Sequence, residues 1–196
     1  MTTLAPISQK TFELPRYQWT YDEFRRLALT GFFPEDTELE LIGGDLFPME
    51  PPGPFHAGTV NPVADLLKTA FGDGFVVRTE QPLSTGGNSV PQPDVTVCAG
   101  DSNEFRRRFP TAEDTRLVVE IADSTLEKDR GIKAADYAAA NISEYWIVNL
   151  RDLRLETYRD PRNGEFLAAR AYLPGDTVSP LHAPNATVAI SELLGV

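Results

Sequence analysis

The segment from Pro93 to Tyr137 constrains the fold of this chain more than any other part of it. It contains two short apolar runs rich in valine, each joined to one carboxylate, and then a polar helical pattern. Short apolar runs predict buried strands, so Asp94 and Glu120 are expected beside a buried sheet. An unpaired carboxylate is costly to bury. The segment therefore predicts either a bound cation or a sheet edge that faces solvent.

Apolar runs separated by loops predict one mixed β-sheet. Its strands are expected at residues 75–80, 94–98, 116–121 and 144–150, followed by a C-terminal hairpin of residues 154–159 and 165–172. Nearer the N-terminus, Gly43 and Gly44 can supply the positive φ angles of a two-residue turn. That turn predicts a hairpin of residues 38–42 and 45–47. A mixed sheet with helices packed on it is an α/β fold.

Two helices are predicted ahead of the first carboxylate. Thr20 with Glu23 forms a capping-box pattern, so a short helix is expected over residues 21–29. A second helix is expected where apolar residues follow helical spacing, at Val60, Val63, Ala64, Leu67 and Phe71. Gly72 is expected to end it.

The helix after the second carboxylate has the most informative polar pattern. Ser124 with Glu127 is again a capping-box pattern and predicts a helix over residues 125–140. Its small-residue stripe is expected to pack closely on the sheet, at Ile132, Ala135 and Ala139. Another face has residues spaced by four, which are Asp129, Lys133 and Tyr137.

The length and composition suit a single globular domain. The chain has 196 residues, of which 41% are hydrophobic and 24% are charged, which is enough for one buried core. Residues 1–16 show no periodicity and are expected to form an N-terminal arm, with a single domain at 17–196. No apolar run approaches the roughly 18 residues that span a bilayer, and no signal-peptide pattern is present. Together with the single cysteine, Cys98, this predicts a cytoplasmic protein without a membrane partner.

The net charge argues against one class of partner. At pH 7 the formal charge is -11, whereas affinity for nucleic acid comes mainly from Lys and Arg side chains that release counterions. The one basic cluster, Arg106 to Arg108, could contact phosphate. A short basic run in a loop is also typical of a solvated surface.

Taken in order, the motifs resemble a known family. Asp94 lies in PQPDVTV and Glu120 in LVVEIADST; the run KDRGIKAADYAAANISEYWIVN follows, and ELELIGGDL with His56 comes before them. This ordered set resembles the Uma-type family of restriction-endonuclease-like proteins, within the PD-(D/E)XK nuclease superfamily. The resemblance covers the chain from about Tyr17 to the C-terminus. It implies a restriction-endonuclease-like mixed β-sheet flanked by helices, with an N-terminal hairpin.

The resemblance also implies a function, a metal-dependent endonuclease that hydrolyses phosphodiester bonds in DNA. In such an enzyme Asp94 and Glu120, with the main-chain carbonyl of Ile121, would hold Mg²⁺ or Mn²⁺. The ion would lower the pKa of a bound water and neutralise charge on the pentacovalent phosphate. Cleavage of both strands would need a homodimer, for which the apolar Trp19, Phe32 and Phe33 suit an interface.

Lys133 departs from the usual pattern of that superfamily. The pattern has a lysine two residues after the glutamate on the same strand, but here that position is Ala122. The resemblance implies that the catalytic lysine has moved to the helix, as Lys133, where it would stabilise developing negative charge. The alternative interpretation is an ordinary salt bridge at the i, i+4 spacing between Asp129 and Lys133, which contributes a few tenths of a kcal/mol.

Three further residues are candidates for the site. Glu40 corresponds to an acidic residue of the family's first hairpin, as a catalytic group that binds metal or orients water; a solvated strand face shared with Glu38 explains it equally well. His56 and Tyr137 are candidate substrate-binding residues. Their ordinary interpretations are a histidine at a helix start and a half-buried packing tyrosine.

A second function class competes with the nuclease. The chain could be a catalytically inactive nuclease-fold protein that acts in binding or as a scaffold, which its acidic charge and missing strand lysine favour. The surface around Asp94 discriminates between the two, because a basic rim would favour the nuclease and an acidic rim the scaffold. A glycosidase with paired carboxylates would need a deep apolar sugar cleft, which nothing in the sequence specifies.

Overall fold

The computed structural model describes residues 15–34 and 36–196 of the chain. Two helices and a small hairpin precede the central sheet: α1 (Tyr21–Leu29), β1 (Leu39–Ile42), β2 (Asp45–Pro48) and α2 (Pro54–Phe71). The predicted capping box is present, because Thr20 and Glu23 bond each other's backbone N–H groups. Gly43 and Gly44, with φ angles of 59° and 81°, form the predicted turn between β1 and β2.

The central sheet has six strands. In their order across the sheet they are β3 (Phe75–Thr79), β4 (Val95–Ala99), β5 (Thr115–Ala122), β6 (Glu144–Asn149), β7 (Arg154–Arg162) and β8 (Glu165–Tyr172). Strands β5 and β6 are parallel, and every other neighbouring pair is antiparallel. The predicted α/β fold with a mixed sheet flanked by helices is confirmed.

A helical segment connects the two parallel strands, as a parallel pair requires. It consists of α3 (Leu126–Lys128), a π-helical turn (Asp129–Lys133) and α4 (Ala134–Ala139), which together we call the site helix. The chain ends with β9 (Thr177–Val178), β10 (Val188–Ala189) and α5 (Ile190–Leu194). Of the described residues, none forms a helix long and apolar enough to cross a membrane.

The two faces of β5 belong to two different cores. Val119 and Ile121 pack with the apolar face of α2, which is buried at the five positions predicted from its spacing. Val118 and Ala122 pack with the opposite layer, which contains the site helix. Because successive side chains of a strand alternate between its faces, Glu120 is directed toward the site helix.

Two predictions about the site helix are wrong. Thr125 precedes the helix without a side-chain cap, because the Ser124 hydroxyl donates to Glu50 instead, at 3.1 Å. Ala135 and Ala139, from the predicted small-residue stripe, are exposed. The face that packs on the sheet is the polar one with Asp129, Lys133 and Tyr137. Charges within this face compensate one another, which allows it to be buried.

The predicted N-terminal arm, residues 1–16, lies almost entirely outside the described residues. The hairpin of β1 and β2 is attached to the domain by the loop before β4. Val90 N–H donates to the Leu41 carbonyl at 2.8 Å, and Gly43 N–H donates to the Ser89 hydroxyl at 2.6 Å. These bonds fix the position of Glu40, which neighbours Leu41 in β1.

Candidate active site

A cavity of about 140 Å³ lies where the first hairpin, the start of α2, the ends of β4 and β5 and the site helix meet. Its wall is mostly charged. Five of the sequence-predicted residues line it: Glu40, His56, Asp94, Glu120 and Lys133. Since these residues come from separate parts of the chain, the fold itself brings the predicted site together.

Glu120 lies at the centre of the cluster and is 1% exposed. Its Oε1 accepts a hydrogen bond from the Tyr137 hydroxyl at 2.6 Å and lies 3.0 Å from Lys133 Nζ. Burial raises the pKa of Glu120 well above its usual value against the attraction of Lys133, and repulsion from Asp94 and Asp129 adds to the rise. A carboxylate in this position favours the approach of a further positive charge.

Asp94 lies immediately before β4, next to the end of β5. Its Oδ2 accepts a hydrogen bond from the Ile121 N–H at 2.6 Å and contacts His56 Nε2 at 3.1 Å. The antiparallel ladder ends where Val95 pairs with Val119, so the Ile121 N–H lies beyond it and donates to the Asp94 side chain instead of a main-chain carbonyl. Pro93, the residue before Asp94, has no N–H of its own to donate.

These groups fit a hard divalent cation by their chemistry, since two carboxylates and one main-chain carbonyl are all oxygen ligands. Asp94, Glu120 and the Ile121 carbonyl are the residues that would hold it. Within residues 15–34 and 36–196, no group of three or more His, Cys, Asp or Glu side chains has a metal-binding arrangement. In this candidate set the Ile121 carbonyl would be the third oxygen ligand beside the two carboxylates.

Lys133 is buried among carboxylates. Its Nζ lies 3.0 Å from Glu120, 3.8 Å from Glu40 and 3.9 Å from Asp129. Burial alone would lower the pKa of Lys133, but the surrounding carboxylates, Glu120 first, raise it above its usual value. The i, i+4 salt bridge with Asp129, which was the alternative interpretation of Lys133, is present at 3.9 Å. It is buried and not a surface pair, because the two residues are only 7% and 1% exposed.

The π-helical turn explains how Asp129, Lys133 and Tyr137 all face the sheet. In an α-helix a spacing of four residues drifts by about 40° per step, and a wider π turn reduces this drift. The Ala134 N–H donates to the Asp129 carbonyl within the turn. The Tyr145 hydroxyl, from β6, donates to the same carbonyl at 3.1 Å.

Glu40 is buried and lies between two lysines. It is 3% exposed, and its Oε1 lies 2.5 Å from Lys128 Nζ while its Oε2 accepts from the Gln92 N–H at 3.3 Å. The alternative of a solvated strand face is therefore wrong for Glu40, although Glu38 is exposed. The loop before β4 that supplies Gln92 explains the burial, because it covers the inner side of the hairpin.

His56 and Tyr137 have different relations to the cavity. The hydrogen bond to Asp94 raises the pKa of His56 against the effect of burial. Its Nδ1 is buried without a hydrogen-bond partner among the described residues, so one polar atom of the wall is unsatisfied. Tyr137 is fully buried and holds Glu120, a position that does not suit the predicted contact with substrate.

The wall also contains charged residues that were not among the predicted site residues, including Asp129, Lys128 and Glu80. Asp129 accepts a hydrogen bond from the Thr125 hydroxyl at 2.6 Å and faces Lys133; its spacing of four from Lys133 was a usable signal. Lys128 contacts Glu40. Glu80 lines the cavity with a left-handed backbone, φ 51°, an uncommon conformation for a residue other than glycine.

The rim of the cavity is acidic. Its outer wall contains four more carboxylates, from Glu38, Glu50, Glu80 and Asp123. The predicted basic cluster is not part of this wall, and its Arg108 is paired with Glu104 and Asp114. By the criterion set from the sequence, an acidic rim favours the scaffold alternative.

Comparisons with known proteins identify a family from the sequence and a similar fold from a solved structure. The sequence model of the Uma2 family, described as "Putative restriction endonuclease", matches residues 21–191. The crystal structure of "a putative nuclease belonging to DUF820" from Anabaena variabilis superposes with a TM-score of 0.69 at 17% identity. That match covers 90% of this chain and 98% of the other. Among curated proteins, no sequence matches this chain.

Proposed function

This chain belongs to the Uma2 family, and on that premise we propose that it is a divalent-metal-dependent endonuclease that hydrolyses phosphodiester bonds in DNA. The observation that supports the proposal most directly is the contact between Lys133 and Glu120. Their charged atoms lie 3.0 Å apart inside a cavity that also contains Asp94. Two carboxylates at adjoining strand ends, with one lysine from the helix beside them, are the side chains that such a reaction needs.

Each residue has a distinct role in this proposal. Asp94, Glu120 and the Ile121 carbonyl would hold the cation, which would lower the pKa of a bound water and neutralise charge on the phosphate. The Ile121 N–H fixes the Asp94 carboxylate, and the Tyr137 hydroxyl fixes that of Glu120. Both carboxylates are thus oriented before any ligand arrives, which lowers the reorganisation needed.

Lys133 balances charge in the resting protein and acts on substrate during the reaction. Its ammonium is held by three carboxylates, so it remains charged in spite of its burial. Glu120, which contacts Lys133 most closely, is also one of the carboxylates that would hold the cation. In this proposal the Lys133 ammonium contacts a phosphate oxygen, where it stabilises the negative charge that develops in the transition state.

The direct test is cleavage of plasmid DNA with Mg²⁺ or Mn²⁺. Asp94→Asn, which keeps the shape of the side chain and removes its charge, should abolish cleavage. Asp65→Asn is the control, because Asp65 is exposed and pairs with Lys68 on α2. Cleavage by Asp94→Asn at the parental rate would contradict the proposal.

The acidic rim supports a second candidate, a scaffold that retains the nuclease fold without turnover. A scaffold of this kind would bind the cation and gain thermal stability from it, yet would cleave neither plasmid, single-stranded DNA nor RNA. The nuclease proposal requires that the cation bind before the nucleic acid does, since the rim carboxylates would otherwise repel the nucleic acid. Order-of-addition binding experiments therefore separate the two candidates.

Two finer statements extend the proposal. Cleavage of both strands requires two copies of the chain. The exposed ring of Phe32, with the adjacent half-buried Phe33 and the half-buried Trp19, offers apolar area for a homodimer. Light scattering of the purified protein tests this. A cytoplasmic location stays a prediction from the sequence.

A further inference from the structure

Lys128 is a second lysine on the wall of the candidate active site. Its Nζ lies 2.5 Å from Oε1 of Glu40, while Lys133 Nζ lies 3.8 Å from Oε2 of the same carboxylate. One buried acid therefore holds both lysines. Of the described residues that line the cavity, these two are the ones with a lysine or arginine charge.

The two lysines differ in exposure and in the number of carboxylates that pair with their ammonium groups. The Lys133 side chain is 9% exposed and has three carboxylates within 4.0 Å. The Lys128 side chain is 25% exposed, and in the described part of the chain Glu40 is the one carboxylate within that distance. Lys128 is therefore the cation that a ligand at the cavity mouth can reach.

The first hairpin keeps the Lys128 ammonium at this mouth. Glu40 and Phe47 are cross-strand partners in β1 and β2. The Lys128 Nζ lies over the Phe47 ring, 5.8 Å from its centroid, where the ring face attracts a cation. With a carboxylate on one side and an aromatic face on another, the ammonium still has donors for a further oxygen, because lysine carries three.

A nucleic acid that enters this cavity meets the acidic rim first. Glu50 and Asp123 lie on the same wall and repel a phosphate, and a compact ammonium on a flexible stem can oppose that repulsion without leaving Glu40. Among the lining residues Lys128 is the one whose position allows this.

We propose that Lys128 is a phosphate-binding residue, whose ammonium contacts a backbone phosphate of the nucleic acid at the cavity mouth while Glu40 holds it in place. The assignment rests on the proposed nuclease function. The two lysines then have different roles, because Lys128 binds substrate and Lys133 acts on the reacting phosphate.

The test measures binding and turnover in the same variants. Binding of a fluorescein-labelled single-stranded DNA oligonucleotide is followed by anisotropy with Ca²⁺ over a series of NaCl concentrations. Lys128→Gln should bind about tenfold more weakly, and the slope of log affinity against log salt should fall by about 0.7, the value for one phosphate contact on single strands. Lys68→Gln, an exposed lysine on α2, should match the parent.

Cleavage kinetics with Mg²⁺ separate the two lysines. Lys128→Gln should raise KM by about tenfold with kcat within about twofold of the parent, whereas Lys133→Gln should lose kcat. Lys128→Arg keeps the charge and should restore the salt slope. Should Lys128→Gln fail to fold, Phe47→Leu, which removes the aromatic face that holds the ammonium, should weaken binding in the same direction.

Specific results would overturn the assignment. If the salt slope of Lys128→Gln equals that of the parent, or if this variant loses kcat at unchanged KM, Lys128 is not a phosphate-binding residue. In either case, cleavage by the parent protein would leave the nuclease proposal in place. A parent protein that neither binds nor cleaves nucleic acid under these conditions would overturn both.

Discussion

Tyr145 donates its hydroxyl to the main-chain carbonyl of Asp129 at 3.1 Å, and so joins β6 to the π-helical turn of the site helix. Both residues are buried. The bond gives the turn a second donor beside the Ala134 N–H. Since the turn directs Asp129 and Lys133 toward Glu120, a residue that never faces the cavity takes part in positioning the charges within it.

Tyr145→Phe should therefore weaken the site more than the fold. Loss of one hydroxyl bond is expected to lower the free energy of unfolding by about 1 kcal/mol, and cleavage should fall because Lys133 is held less firmly. Tyr158→Phe is the matched control, because its hydroxyl donates to Glu156, at 2.9 Å, outside the cavity. Urea unfolding and cleavage rates are compared in both variants; an equal effect on cleavage would contradict a positioning role for Tyr145.

Divalent metal should stabilise the parent protein through Glu120. Binding to the folded state alone adds about 2.7 kcal/mol when the ion is at a hundred times its Kd, so the melting temperature should rise with Mg²⁺ or Mn²⁺. The melting temperature of Glu120→Gln should rise far less, because the substitution removes one carboxylate charge from the ligand set. Glu127→Gln, an exposed site-helix residue, is the control. The same rise in Glu120→Gln as in the parent would exclude Glu120 as a ligand.

Lys133→Met should be strongly destabilising in a way that depends on Glu120. Removal of the ammonium leaves buried carboxylates without compensation, for which a loss of about 3 to 5 kcal/mol is expected. In a Glu120→Gln background the same substitution should cost less, by about 0.5 to 3 kcal/mol, because one of those charges is already absent. A double-mutant cycle by urea unfolding measures the difference, and strict additivity would mean that the two side chains do not interact.

Acid should remove a contribution to stability at Glu156, away from the cavity. Burial acts to raise the pKa of Glu156. Hydrogen bonds, from Arg130 first and then from Asn149 and other neighbours, outweigh burial and lower this pKa from 4.5 to about 2. A lowered folded-state pKa stabilises the protein fully above pH 4.5, and this contribution is lost as the pH falls toward about 2.

Glu156→Gln measures that contribution. Solvent screening weakens the ion pairs of Glu156 because its arginine partners are partly exposed. The parent should therefore be about 1 to 2 kcal/mol more stable than Glu156→Gln at pH 7. The difference should narrow at pH 3.5. Urea unfolding at both pH values tests the sign, and a difference that widens in acid would contradict it.

The sequence predicted the sheet because its signals are local. Valine-rich runs and the turn at Gly43 and Gly44 depend on neighbouring residues, and the buried face of α2 follows from its own spacing. The convergence of Asp94 with Glu120 depended on the resemblance to a family, since two strand ends separated by a loop carry no local sign of contact.

The orientation of the site helix could not be predicted in the same way. A small-residue stripe such as that of Ala135 and Ala139 normally packs on a sheet. Here the helix turns a different face to the sheet, on which Lys133 is paired with buried carboxylates. Likewise, the Ser124 hydroxyl contacts Glu50, a residue far away in the sequence. Both outcomes depend on long-range contacts that periodicity does not contain.

The wide separation of Glu40, Asp94, Glu120 and Lys133 along the chain has a consequence for folding. Contacts between distant segments form slowly, because long loops must close first. A nascent chain that ends after β5 has the acids but not their lysine, and acids without a counter-charge resist burial together. Of the segments that form the site, the site helix is the last to emerge from the ribosome, and it supplies the positive charge that allows the three acids to be buried together. The order of synthesis therefore delays formation of the site until the compensating charge of Lys133 is present.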